Sequence, residues 1–157
     1  MTSFRLDGRV ALVTGAGQGL GASISIAYAE AGASVVLLGR TESYLKDTAD
    51  AIRKAGGEAS LIVCDVTNDE KLRKAFSGLD RLDILVNNAG TNFPEPFIEV
   101  SDDHLDAMLD LNVRACFVAA QAAVQVMLKS ADLAEHGASV VNMSSQMGHV
   151  GSPNRTV

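Results

Sequence analysis

The sequence predicts an α/β domain built on a doubly wound parallel sheet. Short apolar runs rich in Val, Leu and Ile alternate with longer amphipathic stretches along the whole chain. The runs are continuous rather than alternating apolar with polar, which marks strands buried on both faces. The chain of 157 residues carries no internal linker, repeat or low-complexity segment, so residues 1–157 read as a single domain.

Each element has its own warrant. "RVALVTG" is the first strand and ends at Thr14–Gly15. "GASISIAYAEAG" is a helix closed by Gly32, followed by the strand "SVVLLGR". "TESYLKDTADAIRKAG" is a helix with Thr41 or Ser43 as N-cap and Gly56 at its end. "EASLIVCDV" is a third strand, "NDEKLRKAFSGL" a short helix, and "LDILVNNAG" a fourth strand. Pro94 and Pro96 then break regular structure and place a loop at the carboxyl end of that strand. "SDDHLDAMLDLNVRACFVAAQAAVQVMLKS" is one long helix or two joined, capped by Ser101, and "ASVVNMSS" is the fifth strand.

Charge and composition narrow the function classes. A net charge of −6 argues against a nucleic-acid partner, which needs a basic face, but leaves room for one locally positive site. Cys64 and Cys116 lie in apolar runs without metal or redox spacing and read as buried thiols; His104, His136 and His149 are scattered, so no metal site is expected. The N-terminus lacks the basic and long apolar regions of an export signal. No run approaches the ~20 apolar residues of a membrane span. A cytoplasmic protein with no membrane partner is the expectation.

The most informative stretch is "TGAGQGLGAS", where Gly15, Gly17, Gly19 and Gly21 fall between a predicted strand and a predicted helix. Glycines there permit a tight turn and let backbone approach a pyrophosphate, while the helix N-terminus offers free N–H groups and a positive dipole end. Two registers fit, G-x-G-x-x-A at Gly17, Gly19 and Ala22, and T-G-x-x-x-G-x-G at Thr14, Gly15, Gly19 and Gly21. The second is preferred, because it uses Thr14 and sets Gly15 at the strand end. Thr14, Gly15, Gln18, Gly19, Leu20 and Gly21 are the candidate cofactor-binding residues of this loop. The second strand ends in Gly39 and Arg40 where a NAD site would carry Asp or Glu for the ribose 2′-OH. No carboxylate repels a 2′-phosphate there and a guanidinium can hold one, so NADP(H) is favoured over NAD(H).

"TGAGQGLG", "CDV", "NNAG", "LNV" and "VNMSS…G" occur in the order and approximate spacing of the short-chain dehydrogenase/reductase family, and the chain resembles that family over essentially its whole length. The resemblance implies a Rossmann-like sheet of order 3-2-1-4-5 and hydride transfer between a nicotinamide and a ketone or secondary alcohol. It implies that Asp65 holds the adenine amino group beside the Val66 backbone, and that Asn88, Ala89 and Gly90 line the nucleotide. Asn87 would be largely structural. Asn112 would bond main chain at a helix distortion and help hold a proton-relay water, and Ser145 would bond the substrate oxygen. It further implies a homo-oligomer, for which the small-residue face Ala115, Ala119 and Ala122 suits helix–helix contact. Sugar acids, polyols or 3-oxoacyl thioesters are the substrate classes whose enzymes look most similar around "NNAGTNFPEPF".

One family part does not occur. The proton donor is a tyrosine in a Y-x-x-x-K motif about a dozen residues after the serine, and no such motif exists in this sequence, whose tyrosines are Tyr28 and Tyr44. The expectation is therefore an oxidoreductase seen without its C-terminal proton-donor segment. The sheet would be incomplete on that side, and the fifth strand would be an uncovered edge. The alternative is a non-catalytic dinucleotide-binding fragment, or a half that needs a complementary chain.

Overall fold

The computed structural model describes residues 4–151 and 154. A five-stranded parallel sheet is formed by β1 (Val10–Thr14), β2 (Ser34–Gly39), β3 (Glu58–Val63), β4 (Ile84–Asn87) and β5 (Ser139–Asn142), in the order β3-β2-β1-β4-β5. The expected 3-2-1-4-5 order is thus the observed one. The helices are α1 (Gly19–Glu30), α2 (Glu42–Lys54), α3 (Asp69–Ser77), α4 (Asp102–Leu109), α5 (Ala115–Met127) and the short α6 (Leu133–His136).

The continuous apolar strands are buried on both faces. Successive residues of β1 and β2 point to opposite sides. Leu12, Val36 and Leu38 pack with Phe76 of α3 and Val118 and Ala122 of α5. Ala11, Val13, Val35 and Leu37 pack with Leu45 and Ile52 of α2 on the other side. β5 departs from this pattern, since all four of its residues are exposed, including Val140 and Val141. The uncovered apolar edge expected at the fifth strand is therefore present.

The long helical stretch is neither one regular helix nor two separate ones. Ser101 caps it, its Oγ accepting from the His104 N–H at 3.2 Å. Between α4 and α5 the turns widen into a π-type segment, Asp110–Arg114. The run Asp102–Met127 is long enough to cross a membrane, and one 18-residue window of it reaches a mean hydropathy of 1.3, by length and composition alone. Its α5 portion nevertheless packs on the sheet through Val118, Ala119, Ala123 and Val126. The expected oligomer face needs correction. Ala115, Ala119 and Ala122 are 3%, 1% and 4% exposed because small residues let α5 lie close to its own sheet. The apolar residues it leaves outside are Phe117, Val124 and the following Leu128.

At the amino end of the sheet, a buried carboxylate ties distant segments together. Asp83 is 4% exposed and accepts from the Val10 N–H at 2.8 Å and from Arg81 Nε at 2.8 Å. Arg9 reaches both Asp83 and the carbonyl of His136, and Arg81 reaches Asp132. This network anchors the segment that leads into β5.

Candidate nucleotide cleft

All five strands are parallel, so their carboxyl ends gather at one edge. The chain leaves β1 toward β2 on one side and has β4 on the other, which opens a crevice above β1. A cleft of about 340 Å³ lies there. Its walls come from the glycine loop, the β2–α2 turn, the end of β3 and the end of β4.

The glycine loop is shaped by two close approaches. Gly15 adopts φ 65°, a left-handed conformation that strongly favours glycine. Gly21 sits where a Cβ would lie 2.1 Å from the Gly15 carbonyl oxygen and 2.6 Å from Asn88 Nδ2. Only a bare backbone lets α1 begin so close to the loop. No side chain caps α1 at Gln18, and its first turn carries no acidic residue, so its N–H groups are left for an anion beside Gly19 and Gln18.

Loop and β4 are joined by Thr14 and Asn88. Thr14 Oγ1 accepts from the Asn88 and Ala89 N–H groups, each at 3.0 Å. Asn88 Nδ2 donates to the carbonyls of Thr14 at 2.9 Å and Gly15 at 3.3 Å. Thr14 is consequently buried and does not line the cleft; it builds the wall from behind. Leu20, also expected at the cofactor, is 68% exposed and lies outside the cleft lining. Gly15, Gln18, Gly19, Arg40, Asp65, Val66, Asn88, Ala89 and Gly90 all line it. Asn87 points away and donates to the Cys116 carbonyl and to Asn142 Oδ1, which locks β4 to α5 and β5.

At the β2 end, Arg40 Nη1 stands 3.9 Å from Asp65 Oδ2. Asp65 Oδ1 accepts from both the N–H and the hydroxyl of Thr67, at 3.0 and 2.8 Å. Burial pushes the Asp65 carboxyl up, but the two Thr67 hydrogen bonds, then Arg40 and Lys71, hold it below its ordinary range. Cys64 beside it is 6% exposed, and burial first, then the Asp65 charge, pushes its thiol up. Both cysteines are free. No cluster of metal-ligating side chains occurs among the described residues.

The two residues expected at the reacting centre stand near this edge but not in the cleft wall. Asn112 lies in the π-type segment, where its Oδ1 accepts from the Thr91 N–H at 2.9 Å and its Nδ2 donates to the Thr91 carbonyl at 2.8 Å. Ser145 follows β5, is exposed, and accepts from the Met147 N–H at 3.2 Å as the cap of a short 3-10 turn. Thr41, Tyr44, Leu45 and Leu111 line the cleft and were not singled out from sequence as cleft residues. The position of Thr41 and Tyr44 directly after the β2 carboxyl end is a signal that could have found them; Leu111 had none beyond its neighbour Asn112.

Comparison with known proteins agrees with this geometry. An uncharacterized oxidoreductase of Mycobacterium tuberculosis is 38% identical over 151 residues, covering 94% of this chain and 56% of its own length. A Beutenbergia cavernae protein, provisionally assigned as an NAD(P)-dependent gluconate 5-dehydrogenase and holding NADP at low occupancy, superposes with a TM-score of 0.87 at 36% identity. That match covers 98% of this chain and 60% of the other. A 7α-hydroxysteroid dehydrogenase complexed with NADH and 7-oxo glycochenodeoxycholic acid superposes with a TM-score of 0.86 at 34% identity, covering 97% and 59%. The chain thus spans less than two thirds of the length of these relatives. A family profile described as short chain dehydrogenase matches residues 9–157, and the chain belongs to that family of oxidoreductases.

Proposed function

We propose that the chain is the dinucleotide-binding portion of an NADP(H)-dependent oxidoreductase that interconverts a ketone and a secondary alcohol. The observation that carries this reading is the cleft itself. An uncapped helix N-terminus and a glycine loop meet at one end, and Arg40 stands at the other with Gly39 in place of a carboxylate. The bare backbone at Gly21 and the free first-turn N–H groups fit a pyrophosphate.

In this reading NADP(H) supplies or accepts the hydride when bound. Gly15, Gln18 and Gly19 surround the phosphates, with Gly21 letting α1 start close to the loop and Thr14 holding the loop in place. Arg40 pairs with the ribose 2′-phosphate. Asp65 Oδ2, the oxygen not used by Thr67, accepts from the adenine amino group beside Val66. Asn88, Ala89 and Gly90 form the wall on the nicotinamide side. Asn112 fixes the loop that starts at Thr91 and helps hold a water for proton relay. Ser145 donates its hydroxyl to the substrate oxygen while keeping Met147 as its own donor. The partner is a small carbonyl or alcohol substrate. The complete protein is a homo-oligomer of the cytoplasm, with the outer row Phe117, Val124 and Leu128 as its contact face.

A second reading is favoured by two observations. No Y-x-x-x-K occurs in the sequence and β5 is exposed throughout. The chain alone then binds nucleotide without turnover, and a complementary segment restores activity.

Fluorescence titration with NADPH and NADH tests the proposal. Arg40→Ala is expected to weaken NADPH binding by about ten- to a hundredfold, the size of a charge-assisted contact, and to leave NADH nearly unchanged. Equal losses for both nucleotides would remove the NADP(H) assignment.

A further inference from the structure

The cleft continues outward past Asp65 into a second depression of about 530 Å³. The two share Arg40, Cys64 and Asp65; the outer one adds Thr67, Asn68 and Lys71. Asp65 therefore shares this depression with two cations, Arg40 and Lys71, and the consequences for a bound phosphate differ for each.

Arg40 is 73% exposed and leans on Asp65 Oδ2 at 3.9 Å, its one carboxylate contact among the described residues. That contact opposes the selectivity assigned to Arg40. A carboxylate beside the guanidinium competes with a phosphate for it and repels the phosphate as well. By itself the pair Arg40–Asp65 carries no net charge. Lys71 changes that balance. It is held in the first turn of α3, where its N–H donates to the Asn68 cap at 2.9 Å. Its ammonium has no carboxylate within ion-pair distance among the described residues, whereas the neighbouring Asp69 is taken by Arg114. Lys71 is thus a cation of the outer depression with no carboxylate partner among the described residues.

We propose that Lys71 is a second specificity-determining residue of the nucleotide cleft, offsetting Asp65 from outside so that Arg40 remains available to a ribose 2′-phosphate. The proposal rests on the NADP(H) reading above. It follows that the cavity presents a net charge of +1 to the nucleotide. An uncharged 2′-OH is insensitive to that charge, whereas a 2′-phosphate is attracted by it. The depression of the Asp65 carboxyl by both Arg40 and Lys71 fits this arrangement. Asp65 keeps its oxygen for adenine and its cost to selectivity is cancelled from the far side.

The experiment measures dissociation constants of NADPH and NADH for the wild-type chain, Lys71→Gln, Arg40→Ala and the double variant Lys71→Gln/Asp65→Asn, at low and high salt. Circular dichroism verifies that each is folded; Lys71 is exposed, so its amide variant leaves the core untouched. Lys71→Gln is expected to weaken NADPH by about threefold at low salt and to leave NADH within error. That difference shrinks at high salt, and removing the Asp65 charge in the double variant restores the NADPH preference. An equal change for both nucleotides, or no change for either, overturns the role of Lys71. If Arg40→Ala abolishes the preference while Lys71→Gln leaves the NADPH/NADH ratio unchanged, this inference falls and the NADP(H) reading stands. If the wild-type chain binds neither nucleotide, both fall.

Discussion

Thr14 and Asn88 are bonded to each other in both directions, the Asn88 N–H donating to Thr14 Oγ1 at 3.0 Å and Asn88 Nδ2 donating to the Thr14 carbonyl at 2.9 Å. This reciprocal pair holds the ends of β1 and β4 at the spacing that leaves the cleft open between them. Thr14→Val keeps the shape and strips the acceptor from two partly buried N–H groups. It should cost about 2–3 kcal/mol, read as a lower urea midpoint at unchanged slope. Thr14→Ser should recover most of the loss.

Two glycines of the loop should respond differently to the same methyl group. Gly21→Ala meets backbone at 2.1 Å, so α1 must move away from the loop. It should lower stability by about 1–3 kcal/mol and abolish nucleotide binding. Gly19 has φ 55° but open space around it, so Gly19→Ala should cost only about 1 kcal/mol. Calorimetry on the two variants separates steric contact from backbone conformation.

Acid should loosen the amino end of the sheet through Asp83. Burial pushes its carboxyl up, but the Arg81 hydrogen bonds, the Val10 N–H and Arg9 outweigh that and hold it below its ordinary value. A group depressed in the folded state stabilises fully above its unfolded pKa of about 3.9 and loses that contribution as pH falls through the folded value. Asp83→Asn should therefore cost about 2 kcal/mol at neutral pH, with the deficit closing below about pH 4. Urea unfolding from pH 2 to 7 measures it.

Asn112 should act on the loop that starts at Thr91. Asn112→Ala leaves both Thr91 backbone groups without their side-chain partner, and amide exchange of residues 91–100 should speed up by about tenfold. Exchange in β1 and β2 should be unaffected.

Neither cysteine should be a reactive site. Burial, joined at Cys64 by the Asp65 charge, pushes both thiols up. Alkylation at pH 7 should be slow in the native chain and rapid in denaturant. Mass spectrometry of quenched samples follows both positions.

The sequence by itself determined the strands, their parallel character and the glycine loop; the order of the strands came from the family resemblance. Those features are encoded within a few residues of one another: a continuous apolar run, a strand end such as Thr14–Gly15, a steric demand such as that at Gly21. That Asn112 needs a partner was legible for a similar reason, since a polar amide in an apolar helix must be satisfied; the helix distortion there was implied only by the family resemblance. Only the tertiary structure decided which way side chains turned. It buried Thr14 against Asn88, 74 residues away, and pressed the Ala115–Ala119–Ala122 face onto its own sheet. It also brought Tyr44 and Leu111 into one cleft and set Arg40 across from Asp65 with Lys71 behind. Such contacts depend on strand register and helix packing over long separations. A side chain's local pattern sets where it can point, and the partner that meets it is chosen by the fold.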